Sequence, residues 1–133
     1  MRIFIVDDST VIQERLVTLL SGLPGLEIVG RATNTKHARR LIQKLQPDVV
    51  TLDIQMPGGS GLELLQHLKQ QTPCPLVMMM TSNSLPQYRK RCLAAGADYF
   101  FDKATEIERL RETLCQLLPR FTPPATEQEP GRA

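Results

Sequence analysis

Five short, largely β-branched or apolar runs alternate with five stretches of helical period, and this alternation narrows the fold more than any other feature of the chain. The runs are Ile3–Val6, Glu27–Ala32, Asp48–Leu52, Leu76–Thr81 and Tyr99–Phe101. Near-continuous hydrophobicity in a strand means burial on both faces, which a parallel sheet covered by helices provides. Between the runs, Val11, Leu16, Leu19 and Leu20 keep helical spacing, as do Ala38, Leu41, Ile42 and Leu45, then Leu62, Leu65 and Leu68. Two further helices are predicted from about Pro86 to Ala95 and from about Glu106 to Leu118. Thr10 with Gln13 and Thr105 with Glu108 have capping-box spacing, Pro86 suits a first turn, and Gly22, Pro47, Pro73 and Gly96 mark helix ends. Right-handed crossovers wind such a chain into a doubly wound α/β sheet of five parallel strands, order 2-1-3-4-5. Its ligand crevice lies at the C-terminal ends of the first and third strands.

Composition sets the frame for that sheet. A chain of 133 residues buries roughly two-thirds of its unfolded surface, enough for one core without disulfides or a structural metal. One domain over residues 1–118 is predicted, and residues 119–133, where periodicity gives way to Pro and polar residues, are expected to form a disordered tail. No stretch approaches the ~20 apolar residues that cross a bilayer, so no membrane association and a cytoplasmic location are expected. Cys74, Cys92 and Cys115 lack zinc-site spacing and read as reduced, packed thiols. A net charge of +2 with Trp 0, Tyr 2 and Phe 4 disfavours nucleic-acid binding. His37 and His67 read as surface residues, and Met78, Met79 and Met80 as core filling. The basic runs Lys36, Arg39, Arg40 and Arg89, Lys90, Arg91 read as solvated helix faces, the second with Tyr88 as a competing binding surface.

Asp7 and Asp8 end the first strand and Asp53 ends the third, so the fold brings three carboxylates to its crevice. Two like charges 4 Å apart repel by about 4 kcal/mol at an effective dielectric near 20, so such a cluster calls for a cation. Oxygen-only ligands point to a hard one, and Mg²⁺ keeps open positions for phosphate oxygens. Thr81 ends the fourth strand and Lys103 ends the fifth, adding a hydroxyl and an ammonium to the same rim. This set suits phosphoryl chemistry, with Asp53 as nucleophile, the Asp7–Asp8 pair holding the ion, and Lys103 and Thr81 stabilising phosphoryl oxygens.

The stretches IFIVDDST, DVVTLDIQMPGGSGLELL, VMMMTSN and AGADYFFDK resemble the four signature segments of bacterial response-regulator receiver domains, over Arg2 to Leu118. Met56, Pro57 and Gly61 follow Asp53 at the family's offsets. The resemblance implies a flavodoxin-like (CheY-like) fold. It also implies a Mg²⁺-dependent, self-catalysed transfer of phosphate to Asp53 from a histidine kinase, a phosphotransfer protein or a small phosphodonor. Asp8 and Asp7 would hold the ion with Asp53 and the backbone carbonyl of Gln55. Counting back from Lys103, the family's rotating aromatic falls on Phe100, with Tyr99 as competitor, and Thr81 would be drawn inward on phosphorylation. Output would run through the fourth helix, fifth strand and fifth helix to a downstream protein, and the same face is where phosphorylation could pair two copies. The expected organisation is a stand-alone regulator with no attached DNA-binding domain.

Several residues depart from the family's pattern. Ala104 stands where most receivers have proline, so a trans bond after Lys103 is expected. Asp102 is expected to pair with Lys103 or to face solvent. Gly58-Gly59 is expected to loosen the loop after Asp53, and Gln55 and Asn83 occupy positions that tune hydrolysis in the family. The competing readings are a phosphorylation-independent scaffold, an aspartyl-phosphate phosphohydrolase and a flavin-binding module on the same fold. The phosphohydrolase would need Asp-x-Asp-x-Thr where Ile54 and Gln55 follow Asp53. The flavin module would need a phosphate-cradling loop where DDST puts two negative charges.

Overall fold

The computed structural model describes residues 1–56, 59–82 and 86–121. Five parallel strands form the main sheet in the order β2-β1-β3-β6-β7: β1 (Arg2–Val6), β2 (Glu27–Ala32), β3 (Val49–Asp53), β6 (Leu76–Thr81) and β7 (Tyr99–Asp102). This is the flavodoxin-like winding expected from the alternation, with β6 and β7 as the fourth and fifth strands. Five helices cover it: α1 (Thr10–Leu20), α2 (Thr35–Leu45), α3 (Gly61–Lys69), α4 (Pro86–Ala94) and α5 (Ile107–Phe121).

Alternating side chains divide the core into two layers. Phe4, Val6, Val50, Leu52, Val77, Met79 and Phe100 pack under α2, α3 and α4. Ile3, Ile5, Val49, Met78, Met80 and Phe101 pack under α1 and α5. The three methionines are buried, as expected of core filling.

The element ends differ from the sequence reading in several places. The chain adds a small antiparallel pair, β4 (Gln55–Met56) and β5 (Gly59–Ser60), in which Gly59 stands opposite Met56. The loop expected to be loosened by Gly58-Gly59 therefore carries a ladder; Gly58 itself lies outside the described residues. α1 is capped by Ser9, whose hydroxyl accepts from the Ile12 N–H, and Gln13 turns into the core instead of closing a box with Thr10. The capping box is found at α3, between Ser60 and Glu63. α2 closes on Gln46 in the left-handed region, φ 50°. α5 runs through Pro119 to Phe121, beyond the predicted end at Leu118. A proline in the last turn forfeits a single hydrogen bond, and Phe121 still packs against the α1/α5 core layer. The rest of the expected tail, 122–133, lies outside the described residues. Cys92 is buried as a packed thiol, but Cys74 is exposed and Cys115 half-buried; all three are free.

Candidate functional site

Parallel strands end together, and here β1, β3 and β6 deliver Asp7, Asp53 and Thr81 to one rim, with Lys103 one residue beyond β7. Main-chain bonds hold that rim. The Asp7 N–H donates to Ala32 O at 3.1 Å and the Lys103 N–H donates to Thr81 O at 2.9 Å. The second contact fixes the base of the lysine stem against the end of β6.

The Lys103 ammonium lies 2.8 Å from Asp7 Oδ2 and 2.8 Å from Asp53 Oδ2. Asp7, Asp53, Thr81 and Lys103 are all buried, while Asp8 is exposed. Asp7 is anchored on its other side, where Oδ1 accepts the Ser9 N–H at 2.9 Å. Burial lowers the Lys103 pKa, but its hydrogen bonds to Asp53 and Asp7 and their negative charges outweigh it and leave the ammonium above its ordinary value. Carboxylate oxygens of Asp7, Asp8 and Asp53 all lie within 4.8 Å of one another. Among the described residues three carboxylates face one ammonium, and the ligand atoms on that side are all oxygen. The arrangement fits a hard dication.

Two residues behind the carboxylates do structural work. A Cβ on Gly61 would stand 1.9 Å from the Asp53 carbonyl oxygen, and the Gly61 N–H donates to Ile54 O at 2.7 Å. Only glycine lets α3 begin directly against the backbone of Asp53. Gln13 was read in the sequence only as a capping-box partner of Thr10, yet its buried amide donates to Asp7 O at 2.7 Å and Ala32 O at 2.9 Å, tying the ends of β1 and β2 together. The signal was present: Gln13 is a polar residue in the buried stripe it shares with Leu16 and Leu20.

Lys103–Ala104 is a trans bond, as expected where proline is missing; Thr72-Pro73 is the cis bond found among the described residues. Asp102 neither pairs with Lys103 nor simply faces solvent. Its Oδ1 accepts the N–H groups of Ala104 at 2.7 Å and Thr105 at 3.2 Å, and its own N–H donates to Glu106 Oε1 at 2.9 Å. An aspartate holding the next two amides shapes the turn into α5, in place of the box predicted at Thr105 and Glu108.

Phe100 is buried on the α4 side, with the Arg89 guanidinium 5.6 Å from its ring centroid. Tyr99 is half-buried on the opposite face and stacks on Phe101 with centroids 6.1 Å apart. Pro57 and Asn83 lie outside the described residues. His37 is exposed as expected; His67 is half-buried, its ring nitrogens engaged by Arg39 and Gln71 at 2.8 and 3.1 Å.

A family model described as the response regulator receiver domain matches residues 3–115. A protein-glutamate methylesterase/protein-glutamine glutaminase 2 of Photobacterium profundum is 35% identical over 124 residues, covering 90% of this chain and 31% of that protein. A protein-glutamate methylesterase/protein-glutamine glutaminase 1 of Xanthomonas campestris pv. campestris is 46% identical over 78 residues, covering 59% of this chain and 22% of the relative. The chain thus spans less than a third of either protein's length. Among solved structures, the signal receiver domain of a DNA-binding response regulator from Colwellia psychrerythraea superposes with a TM-score of 0.82 at 29% identity, covering 89% of this chain and 98% of that one. The response regulator domain of Thermotoga maritima CheB superposes with a TM-score of 0.79 at 26% identity, covering 89% and 96%.

Proposed function

The chain belongs to the response regulator receiver domain family, and on that premise we propose that it accepts a phosphoryl group on Asp53 and switches the binding of a downstream protein. The observation that carries this reading is the Lys103 ammonium lodged between Asp7 and Asp53, with the Asp8 carboxylate within reach of both. The donor is a phosphohistidine on a sensor kinase or phosphotransfer protein, or a small acyl phosphate. An Asp53 carboxylate oxygen forms the new O–P bond as the P–N bond of phosphohistidine breaks, and the leaving imidazole nitrogen keeps the electron pair.

Asp7, Asp8, Asp53 and the carbonyl of Gln55 would hold Mg²⁺, which when bound offsets the carboxylate charge and polarises phosphoryl oxygens. Lys103 is positioned to transfer its bond from Asp53 to a phosphoryl oxygen. The buried Thr81 hydroxyl takes another and draws the end of β6 inward. An acyl phosphate brings about −1.5 to −2 charge and three acceptor oxygens, enough for several charge-assisted contacts. Phe100, already turned into the core, is the aromatic whose position reports the switch, with Tyr99 held by its stack on Phe101. The output surface is then α4, β7 and α5. No helix among the described residues is long and apolar enough to cross a membrane, which is compatible with a cytoplasmic partner.

The test is the intact mass of the protein after incubation with acetyl phosphate and Mg²⁺, for wild type, Asp53→Asn and a chelator control. A single phosphoryl adduct in metal-loaded wild type alone is the expected result. No adduct, together with no response to beryllofluoride and Mg²⁺, would favour the phosphorylation-independent scaffold. Steady turnover of an added phosphomonoester would favour the phosphohydrolase.

A further inference from the structure

The groove between α2 and α3 holds about 510 Å³, and its lining carries two cationic side chains against one carboxylate. Lys36 and Arg39 come from α2, and Gln66, His67 and Gln70 from α3. α2 carries no acidic residue, and neither Lys36 nor Arg39 forms an ion pair among the described residues. The single acid in the groove, Glu63, already accepts the Ser60 N–H at 3.4 Å in the α3 capping box. One end is closed by Gly59, φ 135°, which presses β5 so near the start of α2 that a Cβ there would lie 2.9 Å from Thr35 Oγ1.

The Arg39 guanidinium donates not to a carboxylate but to an imidazole nitrogen, His67 Nδ1, at 2.8 Å. The other ring nitrogen, Nε2, lies 3.1 Å from the side-chain amide nitrogen of Gln71. An arginine partnered in this way keeps its full charge and most of its donors for something else.

We infer that the α2/α3 groove is a binding site for a small phosphate-bearing anion, gripped by Arg39 and Lys36 with the amides of Gln66 and Gln70. Arg presents a planar fork that matches a phosphate group, and Lys36 adds a point charge beside it. The volume is in the range of small-ligand sites, about 300–1,000 Å³. The groove offers no Phe, Tyr or Trp ring and a single imidazole, so a single small anion fits it better than a run of stacked nucleobases. His67 gives the site a proton-linked signature. Burial first, and the Arg39 charge second, hold its pKa below the ordinary 6.5. The other groups around it are Lys36, Glu63 and the neutral amides. An anion seated on Arg39 offsets that charge, so binding moves the His67 pKa back up toward its ordinary value. The site does not depend on Asp53 or on phosphorylation.

The test is an NMR titration of the full chain, free of divalent metal and at constant ionic strength, following the His67 ring and the Arg39 side chain. Inorganic pyrophosphate and AMP are the two probes, and sulfate controls for screening. The expected result is a saturable shift at His67 with at least one probe, and a His67 titration midpoint that moves up when the site is saturated. Arg39→Glu should weaken it at least about tenfold, the worth of one strong charge-assisted contact. Lys90→Glu, on the exposed surface of α4, should change it less than about twofold. Saturation by pyrophosphate alone identifies an oligophosphate, and saturation by AMP alone a nucleotide. Equal losses in the two variants, a sulfate response matching both probes, shifts centred on Lys103 instead of His67, or tighter retention of an oligonucleotide than of either probe would each overturn the inference.

Discussion

Lys103 and Arg39 each hold a titratable side chain at 2.8 Å, yet their surroundings have little in common. The Lys103 side chain is 10% exposed and lies between two carboxylates fixed by the ends of different strands. Arg39 is exposed on a helix surface, and its partner is an uncharged ring on the neighbouring helix. The same distance therefore describes two different free energies. Inside the crevice the ion pairs are screened little and neither partner can retreat to water, so the lysine is part of what makes the buried acids tolerable. On the helix surface, water and salt compete for the same guanidinium, and the bond is easily exchanged for a better acceptor. A preorganised reaction site needs the first kind of contact, and an adaptable anion site can use the second.

Lys103→Met is the harshest test of that contrast. It removes the ammonium that bridges Asp7 and Asp53 and should lower unfolding free energy by about 3 kcal/mol in chelator, read by chemical denaturation. Added Mg²⁺ should recover more stability in the variant than in wild type; equal recovery would show that the lysine does not neutralise the cluster. Because the folded pKa of Lys103 is raised, its contribution is complete below the ordinary value of 10.5 and is lost as pH climbs through the folded value. The gap between wild type and Lys103→Met should accordingly stay flat from neutral pH to about 10 and shrink above it.

Gly61→Ala probes the backbone that aims Asp53. Its methyl would collide with the Asp53 carbonyl, so a loss of about 1–3 kcal/mol and slower labelling by acetyl phosphate are expected. Thr51→Val reverses the sign. Thr51 Oγ1 is buried with no hydrogen-bond partner, flanked across β1 and β6 by Ile5 and Met78. A methyl in its place should raise stability by about 1 kcal/mol, measured by thermal unfolding, and a loss would reveal a partner for the hydroxyl. Arg39→Ala should have the smallest effect, within about 0.5 kcal/mol, because its bond lies in solvent. A loss comparable to that of Lys103→Met would erase the distinction between the two regions.

Strand order and the gathering of Asp7, Asp53, Thr81 and Lys103 were legible from local pattern, because strand and helix periods announce themselves over a few residues and a parallel sheet aligns its strand ends. Capping was read less well. Ser9 and Asp102 took roles that spacing had given to Thr10 and Thr105, and the box at Ser60 and Glu63 was not predicted, since several hydroxyls and carboxylates near a helix start compete for the same amides. Gln13 was read as a capping partner of Thr10, and its core role was missed because its partners, the carbonyls of Asp7 and Ala32, lie at the ends of two different strands.

The order of apolar runs and the residue types at their ends were therefore determined by the sequence alone. Tertiary structure decided that Lys103 reaches across 50 residues to Asp53, that Gly61 sits against the Asp53 carbonyl, and that Arg39 meets His67 on the next helix. Those contacts depend on strand register and helix placement, which are set by the whole core packing at once, and no local period encodes them.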